Sequence, residues 1–438
     1  MKFFFPDSQD SVDPSFDFET ETRAEFRIRQ RDDLYAHEVF AQRPFDGVLV
    51  SKAIVDGSGS GAGKYSLAQR HRLFRLGIRG FLRLDERPGV QRLETLGDCG
   101  AFSYVREEYP PFSVDEVIQF YTQCGFDLGI SVDHAILGYI PDADQLGLRG
   151  LLLDRDEERL LEDSRKRQAI TLELADEFLR THESQGCGFT PLGVAQGWSP
   201  LSYADAVRQL QKSGYDRIAI GGMVPLKTRD ILACLETINL VRDHGTQLHL
   251  LGITRCEHVL DFQRFGVTSF DSTMPLMQAF KDAKDNYHTL HGNYVALRVP
   301  QVQGNPRLQR RIGSGEVNQD QARRLEQSTL TALRAYDRGE VSVEATLEPL
   351  LEYEQLHDGK VDRSRPYRKI LEEQPWKECP CEVCRMIGIN VVIFRGAERN
   401  RRRGFHNLTI LYQRLHQELG WRQGSAREPA MTCTEPTQ

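Results

Sequence analysis

Residues 191–222 read PLGVAQGWSPLSYADAVRQLQKSGYDRIAIGG. The stretch opens on a short apolar run, Pro191–Gln196, and closes on another, Arg217–Gly221. Between them, Tyr203–Ser213 carries apolar residues at helical spacing (Ala206, Leu210), with Ser202 as the expected N-cap and Gly214 as the stop signal. Strand, helix and strand in this order imply two parallel strands joined by a right-handed crossover.

The alternation extends in both directions. Further strands are expected at Phe45–Ser51, Ile78–Leu84, Leu93–Gly97, Gly129–Asp133, Leu248–Ile253 and Thr268–Asp271. Helices are expected at Tyr65–Leu76, Val114–Cys124 (capped by Ser113), Glu157–His182, Thr228–His244 and Glu257–Phe265. About eight such units suit a closed (β/α)8 TIM-like barrel of the α/β class. A doubly wound open sheet is the alternative, which periodicity does not exclude. The expected division is an irregular N-terminal extension (1–40), the barrel (41–295), a loop and helical insertion (296–375), a subdomain carrying a cysteine cluster (376–422) and a disordered tail (423–438). Within the insertion, 300–316 reads as loop, and Asn318–Asp337 and Val343–Tyr353 read as helices.

Composition narrows the function classes. Of 438 residues, 39% are hydrophobic and 27% charged, as in ordinary folded proteins. Apolar runs such as Phe3–Phe5 and Gly47–Val50 fall far short of the ~20 residues of a membrane helix. The N-terminal MKFFFPDSQD turns acidic at once and lacks an apolar leader, so a cytoplasmic protein is expected. Fifty-six cations against 63 acids give a net charge of −7, so any contact with nucleic acid must come from a local basic patch. Nine cysteines, six of them scattered singly, argue for a reducing compartment.

The three clustered cysteines carry the sharpest signal. Cys379-x-Cys381-x2-Cys384, with His406 after 21 intervening residues, offers three thiolates and an imidazole. That set suits a closed, structural Zn2+ site. His416 and Cys433 are poorer fourth ligands, and three unrelated cysteines are the bland alternative. Polar residues also gather where barrels place active sites, at strand C-terminal ends: Asp98, Asp133, Gln196, Gly221-Gly222 and Asp271. Arg395, Arg399, Arg401, Arg402 and Arg403 precede His406 with Glu398 the one acid among them; Arg307, Arg310 and Arg311 form a second group. Each is a candidate for phosphate contact or a solvated helix face. Gly57–Lys64 is glycine-rich, but Ser58 and Tyr65 break the Walker pattern.

These residues occur in motifs. Gly97-Asp98-Cys99-Gly100-Ala101-Phe102-Ser103 resembles the Asp-Ser-Gly-Gly-Phe motif of tRNA-guanine transglycosylases. Asp127 and Asp133 resemble that family's spaced aspartates. Gly193–Gly197 is similar to its Val-Gln-Gly motif, Ala219–Gly222 to its Ala-Ile-Gly-Gly, and Leu251–Ile253 and Phe270–Pro275 to its last barrel motifs. The Cys3His spacing resembles its zinc signature with a slightly shorter final spacer. The resemblance spans roughly 90–410, in order.

The resemblance implies a base-exchange enzyme with Asp271 as nucleophile on C1′ and Asp98 as general acid/base. It implies that Asp133 accepts the N1–H and 2-amino group of a guanine-like base, that Gln196 and the Gly221-Gly222 backbone meet the 6-oxo group, and that Phe102 stacks on the base. Departures point to the DNA-modifying branch, the 7-deazaguanine DNA transglycosylases. After Met274-Pro275 the family's Thr-Arg-Asn-Ala-Arg is replaced by Leu276–Lys281, without either arginine, and His134 stands where glutamate is common. About 75 residues, 300–375, also separate barrel and cysteines. DNA with guanine sites, 7-cyano-7-deazaguanine (preQ0) as incoming base and contacts through Arg399, Arg401, Arg402 and Arg403 are the resulting expectations. The resemblance leaves room for a partner ATPase of a DNA-modification system, and the sequence leaves room for a homodimer. Action on tRNA, or a non-catalytic nucleic-acid-binding subunit, are the rival readings.

Overall fold

The computed structural model describes residues 1–59, 61–84, 92–141, 155–281 and 285–420. Eight parallel strands close into a barrel: β1 (Lys2–Pro6), β2 (Gly47–Ser51), β3 (Glu94–Asp98), β4 (Leu128–Ile130), β5 (Thr190–Ala195), β6 (Arg217–Ile220), β7 (Gln247–Leu250) and β8 (Val267–Asp271). Chain order is also the order around the barrel, and β8 pairs with β1. The closed (β/α)8 barrel therefore stands, and the open sheet does not.

Helices follow the strands on the outside: α1 (Leu67–Phe81), α2 (Val114–Cys124), α3 (Arg155–Gln185), α4 (Pro200–Ser213), α5 (Thr228–Asn239), α6 (Val259–Arg264) and α7 (Met274–Ala279). Ser199 rather than Ser202 caps α4; its hydroxyl accepts the Ser202 N–H, and Pro200 sits at the first helical position.

Period-two alternation sorts each strand's side chains. Phe4, Leu49, Leu96, Leu128, Ile130, Leu192, Val194 and Ala219 form a buried cluster inside the barrel. Phe3 and Phe5, Val48 and Val50 belong instead to the larger core between barrel and helices. Paired Gly97 and Gly129 on β3 and β4 make a slot for one aromatic ring. A Cβ at either would lie 2.3 or 2.6 Å from Tyr121 of α2, whose hydroxyl donates to the Ile130 carbonyl at 2.9 Å.

Two expectations about the N-terminal half change. The first barrel strand is Lys2–Pro6, inside the stretch taken as an irregular extension. Ile78–Leu84 is not a strand: Ile78 and Phe81 lie on the buried face of α1, which kinks at Gly77 (φ 68°) and resumes. The spacing of Ile78, Phe81 and Leu82 is helical, and a glycine break made it look like a new element.

After the barrel, 306–313, expected as loop, forms α8 (Pro306–Gly313), capped by Asn305. There follow α9 (Gln319–Asp337), α10 (Val343–His357), α11 (Ser364–Glu373), α12 (Glu382–Ile387) and α13 (Gly396–Glu418). The strand Leu297–Arg298 pairs with Ile393–Phe394 and ties the two ends of this region together. Helix α13 packs on α7 and reaches the barrel's first turn, where Tyr412 donates to Asp46 at 2.7 Å. The tail beyond 420 lies outside the described residues. Among the described residues, no helix is long and apolar enough to cross a membrane.

Candidate active site

A cavity of about 240 Å3 opens at the C-terminal end of the barrel and draws residues from all eight strands or the turns after them. Asp98, Asp133, Gln196, Gly221, Gly222 and Asp271 all line it, and Phe102, 54% exposed, stands at its edge. The sequence-predicted polar residues thus meet in one place. Asp127 does not. It begins the turn into β4 at the opposite end, where it accepts the Thr95 N–H at 2.9 Å and pairs with Arg92 at 2.6 Å.

Each carboxylate sits in a different environment. Asp98 ends β3 and accepts the Ser51 hydroxyl at 2.5 Å. Burial pushes its carboxyl up; the Ser51 hydrogen bond opposes the rise and the charge of Asp271 adds to it. Asp133 is raised to about 7 by burial and then by the charge of Asp98. Its Oδ1 accepts the Cys99 thiol at 2.9 Å and its Oδ2 the Gln196 amide at 2.7 Å. Burial holds the Cys99 thiol far above its usual range, so the sulfur stays protonated and can donate. Tyr104 closes the back of this pair, its hydroxyl 2.9 Å from Cys99 Sγ.

Gln196 is fixed on both sides. Its Oε1 accepts the Ile136 N–H at 3.2 Å, and its backbone carbonyl accepts Gln168 from α3 at 2.7 Å. A Cβ at residue 221 would lie 2.2 Å from Gln196 Nε2, so glycine there lets the amide lie flat against β6. One hydrogen of the Gln196 amide goes to Asp133, which leaves the other for a ligand.

Asp271 ends β8 and is nearly buried. Its Oδ1 accepts the Gly252 N–H at 2.9 Å and lies 3.3 Å from His249 Nε2; the His249 Nδ1 lies 2.8 Å from Ser269 Oγ. Oδ2 is the oxygen left for chemistry.

Sequence reading missed Ser51, Cys99 as a donor, His249 and Gly252. Ser51 ends its strand as Asp98 does, so the same positional rule applies to it. His249 was marked by being the one charged-capable residue in the apolar run Leu248–Ile253.

Away from the barrel, Cys379, Cys381, Cys384 and His406 place their ligand atoms within 4.8 Å of one another, a group that could hold a metal ion. Cys381 caps α12, which presents Cys384, while α13 presents His406. His406 Nδ1 lies 3.4–3.6 Å from the three sulfurs, and Nε2 is bonded to the His288 carbonyl at 2.7 Å. The Tyr287 ring stacks on the imidazole at 4.3 Å.

The chain is 52% identical over 426 residues to the DNA-guanine transglycosylase of Salmonella montevideo, covering 96% of this chain and 98% of that protein. The chain belongs to the tRNA-guanine transglycosylase family, in its DNA-modifying branch. A queuine tRNA-ribosyltransferase of Marinobacter nauticus is 28% identical over 131 residues, 30% of this chain and 34% of that protein. No family model matches. Relatives named transglycosylase and ribosyltransferase make this member a guanine base-exchange enzyme.

The arginines expected to touch phosphate do something else. Arg399, Arg402 and Arg403 are 2%, 3% and 0% exposed. Arg399 pairs with Glu21 and donates to the Phe18 carbonyl at 2.8 Å; Arg402 pairs with Glu398 at 2.6 Å and donates to the Asp13 carbonyl. Arg403 donates to the carbonyls of Val391, Ile393 and Ala279. Arg401, partly exposed, donates to the Ser11 carbonyl at 2.9 Å. Arg399, Arg401 and Arg402, together with Arg395, which pairs with Glu21 and Glu326, fasten residues 11–21 to α13. Buried guanidinium groups with acids and carbonyls already in place are not free for DNA. Arg307 and Arg311 are also engaged, with Asp358 at 3.2 Å and Glu316 at 2.7 Å.

Proposed function

We propose that this chain replaces guanine in DNA with a 7-deazaguanine base through a covalent aspartyl-glycosyl intermediate. The observation that carries the reading is the meeting of Asp98, Asp133 and Asp271 with Gln196 in one cavity at the barrel's C-terminal mouth. The identity to a protein named DNA-guanine transglycosylase supports DNA as the polymer. 7-Cyano-7-deazaguanine as incoming base and a partner ATPase remain expectations of the resemblance, and a homodimer and action in the cytoplasm remain expectations of the sequence.

The roles follow from the environments. Asp133 in its ionised form accepts N1–H and the 2-amino group of guanine in parallel, two charge-assisted bonds that bring it to that form when the base enters. The free N–H of Gln196 meets the 6-oxo group, beside the Gly221-Gly222 backbone, and Phe102 covers the base face. Asp271 Oδ2 attacks C1′ as the bond from C1′ to N9 breaks, its electron pair leaving on N9 of guanine. Asp98, whose protonated form burial favours, gives N9 its proton. The incoming base then loses its N9 proton to Asp98 and attacks C1′, and the ester to Asp271 breaks, so both faces of the exchange use the same groups. This is the double displacement of a retaining glycosidase. A guanosine stacked in duplex DNA cannot reach a carboxylate at the bottom of this cavity, so the target nucleotide must be extruded or single-stranded.

The Cys379–Cys381–Cys384–His406 group fits Zn2+. Zn–S and Zn–N bonds of about 2.3 and 2.0–2.1 Å at tetrahedral angles place sulfur about 3.5 Å from nitrogen, and His406 Nδ1 lies 3.4–3.6 Å from each sulfur. With four protein ligands the ion would be structural, joining α12 to α13.

The test is incorporation of labelled 7-deazaguanine base into DNA and tRNA side by side, with wild type and Asp271→Asn. Label entering DNA with wild type and not with the variant supports the reading. Label entering tRNA and not DNA, or undiminished exchange by Asp271→Asn, overturns it.

A further inference from the structure

With Arg399, Arg402 and Arg403 of α13 buried and Arg401 bonded to the Ser11 carbonyl, the phosphates of the substrate need another anchor. Residues 57–84 hold six cations, Lys64, Arg70, Arg72, Arg75, Arg79 and Arg83, and not one Asp or Glu, in a chain of net charge −7. Half of these cations are taken up internally. Arg70 lies 3.6 Å from Asp56, Arg79 lies 3.6 Å from Asp127 and donates to two carbonyls, and Arg83 pairs with Glu38 at 2.6 Å. The side chains of Lys64, Arg72 and Arg75 make no ion pair or hydrogen bond among the described residues; that of Arg72 only rests over the Phe81 ring at 5.8 Å. Lys64 and Arg75 are exposed, as is Arg29 of the N-terminal segment, which is likewise unpaired among the described residues.

These groups lie along a continuous path that starts at the active site. Asp7 and Ser8 line the catalytic cavity, and Tyr65 donates to Asp7 at 2.7 Å. Tyr65, Lys64 and Arg29 in turn line an open cleft of about 470 Å3, across which Gln9 is bridged to Gln30 and Gln69. A second open cleft, about 580 Å3, continues along α1 and is lined by His71, Arg72 and Arg75. Helix α1 follows β2, so its first turn faces the catalytic mouth while Arg79, near its end, meets Asp127 at the far end of the barrel. Acids near the start of the path point inward: Asp7 is buried against Tyr65, and Asp10 is half-buried.

We propose that this cationic track, from Arg29 and Lys64 along α1 to Arg75, holds the DNA backbone flanking the nucleotide that enters the cavity. The inference rests on the proposed DNA base exchange. It assigns to exposed, unpaired cations a task that requires displacing condensed counterions, which buried guanidinium groups cannot perform.

The test compares Arg29→Ala/Lys64→Ala/Arg75→Ala with a charge-matched triple on the insertion, Arg323→Ala/Arg324→Ala/Arg365→Ala. Binding to a guanine-containing oligonucleotide is measured by fluorescence anisotropy from 50 to 300 mM salt, and base exchange is measured in parallel over a range of DNA and of free-base concentrations. Each lost phosphate contact lowers the slope of log Kd against log salt by about 0.7–0.9. The track variant should lose about 2–3 units of slope and raise KM for DNA roughly tenfold or more, with kcat and the KM for free base unchanged. The control triple should keep the wild-type slope. Equal slopes for wild type and track variant, or equal losses in both triples, overturn the track while wild-type exchange in DNA leaves the proposed function standing. No exchange in DNA by wild type overturns both.

Discussion

Asp133→Asn separates recognition from stability in one substitution. In the ionised state Asp133 offers two acceptors to the guanine edge; asparagine offers one acceptor and presents an N–H2 where the base also donates. One charge-assisted bond is lost and leaves two donors facing each other, and the other becomes a neutral bond; with charged bonds at about 1.5–3 kcal/mol each, the cost is about 3–6 kcal/mol, or roughly 10^2- to 10^4-fold in kcat/KM. Stability should move the other way at alkaline pH. Burial and the charge of Asp98 push the folded carboxyl up to about 7 from its ordinary value of 3.8. Below the lower value both states are protonated and nothing is lost. Between the two, the folded state holds a proton that the unfolded state releases, so stability falls as pH rises; above 7 the full penalty applies. At about 1.36 kcal/mol per unit that penalty approaches 4 kcal/mol. Asparagine removes it, against about 1–3 kcal/mol for the mismatched Gln196 contact. The variant should therefore unfold at higher temperature than wild type at pH 8 and show no such gain at pH 4. Thermal unfolding across that range, with steady-state base exchange at pH 7.5, checks both halves. A kcat/KM within threefold of wild type, or a stability difference independent of pH, would refute the reasoning.

Other outcomes follow from the same contacts. Leu96→Ala, inside the barrel, should cost about 2–5 kcal/mol in denaturant unfolding, because the closed barrel cannot collapse onto the void. Arg399→Ala leaves Glu21 to Arg395 and Gln301 and the Phe18 carbonyl without its donor, and should destabilise by about 1–3 kcal/mol while leaving the salt dependence of DNA binding unchanged. Purified protein should carry one zinc per chain by elemental analysis. Cys381→Ser should lose it and lower the unfolding temperature, because the ion joins α12 and α13.

Much of the catalytic half was readable because its signals are local. A strand in a parallel barrel is a short apolar run, and the polar residue that ends it marks the mouth; Asp98, Asp133, Gln196 and Asp271 were found by that rule alone. The same logic failed where the run was too short to weigh. Phe3-Phe4-Phe5 supplies one inward and two outward rings of β1, yet three residues before a proline carry little periodicity. Gly77 misled in the opposite sense, splitting one kinked helix into an apparent helix and strand. The arginines before His406 show a different limit. A charge count along the chain registers cations but not the acids that neutralise them, and Glu21 and Glu326 lie far away in sequence. The acid-free run 57–84 was visible in the sequence, but its significance depends on which of its cations the fold leaves unpaired.

The account stands on one bond, between Asp271 and the sugar of a DNA guanosine. Wild-type protein incubated with a guanine-containing oligonucleotide and no incoming base, then denatured, digested and read by peptide mass spectrometry, locates that bond. The account predicts an oligonucleotide adduct on the peptide containing Asp271, released as modified DNA when 7-deazaguanine base is added before denaturation. An adduct mapped to Asp98 or Asp133, or base exchange proceeding with no adduct at any residue, would contradict it.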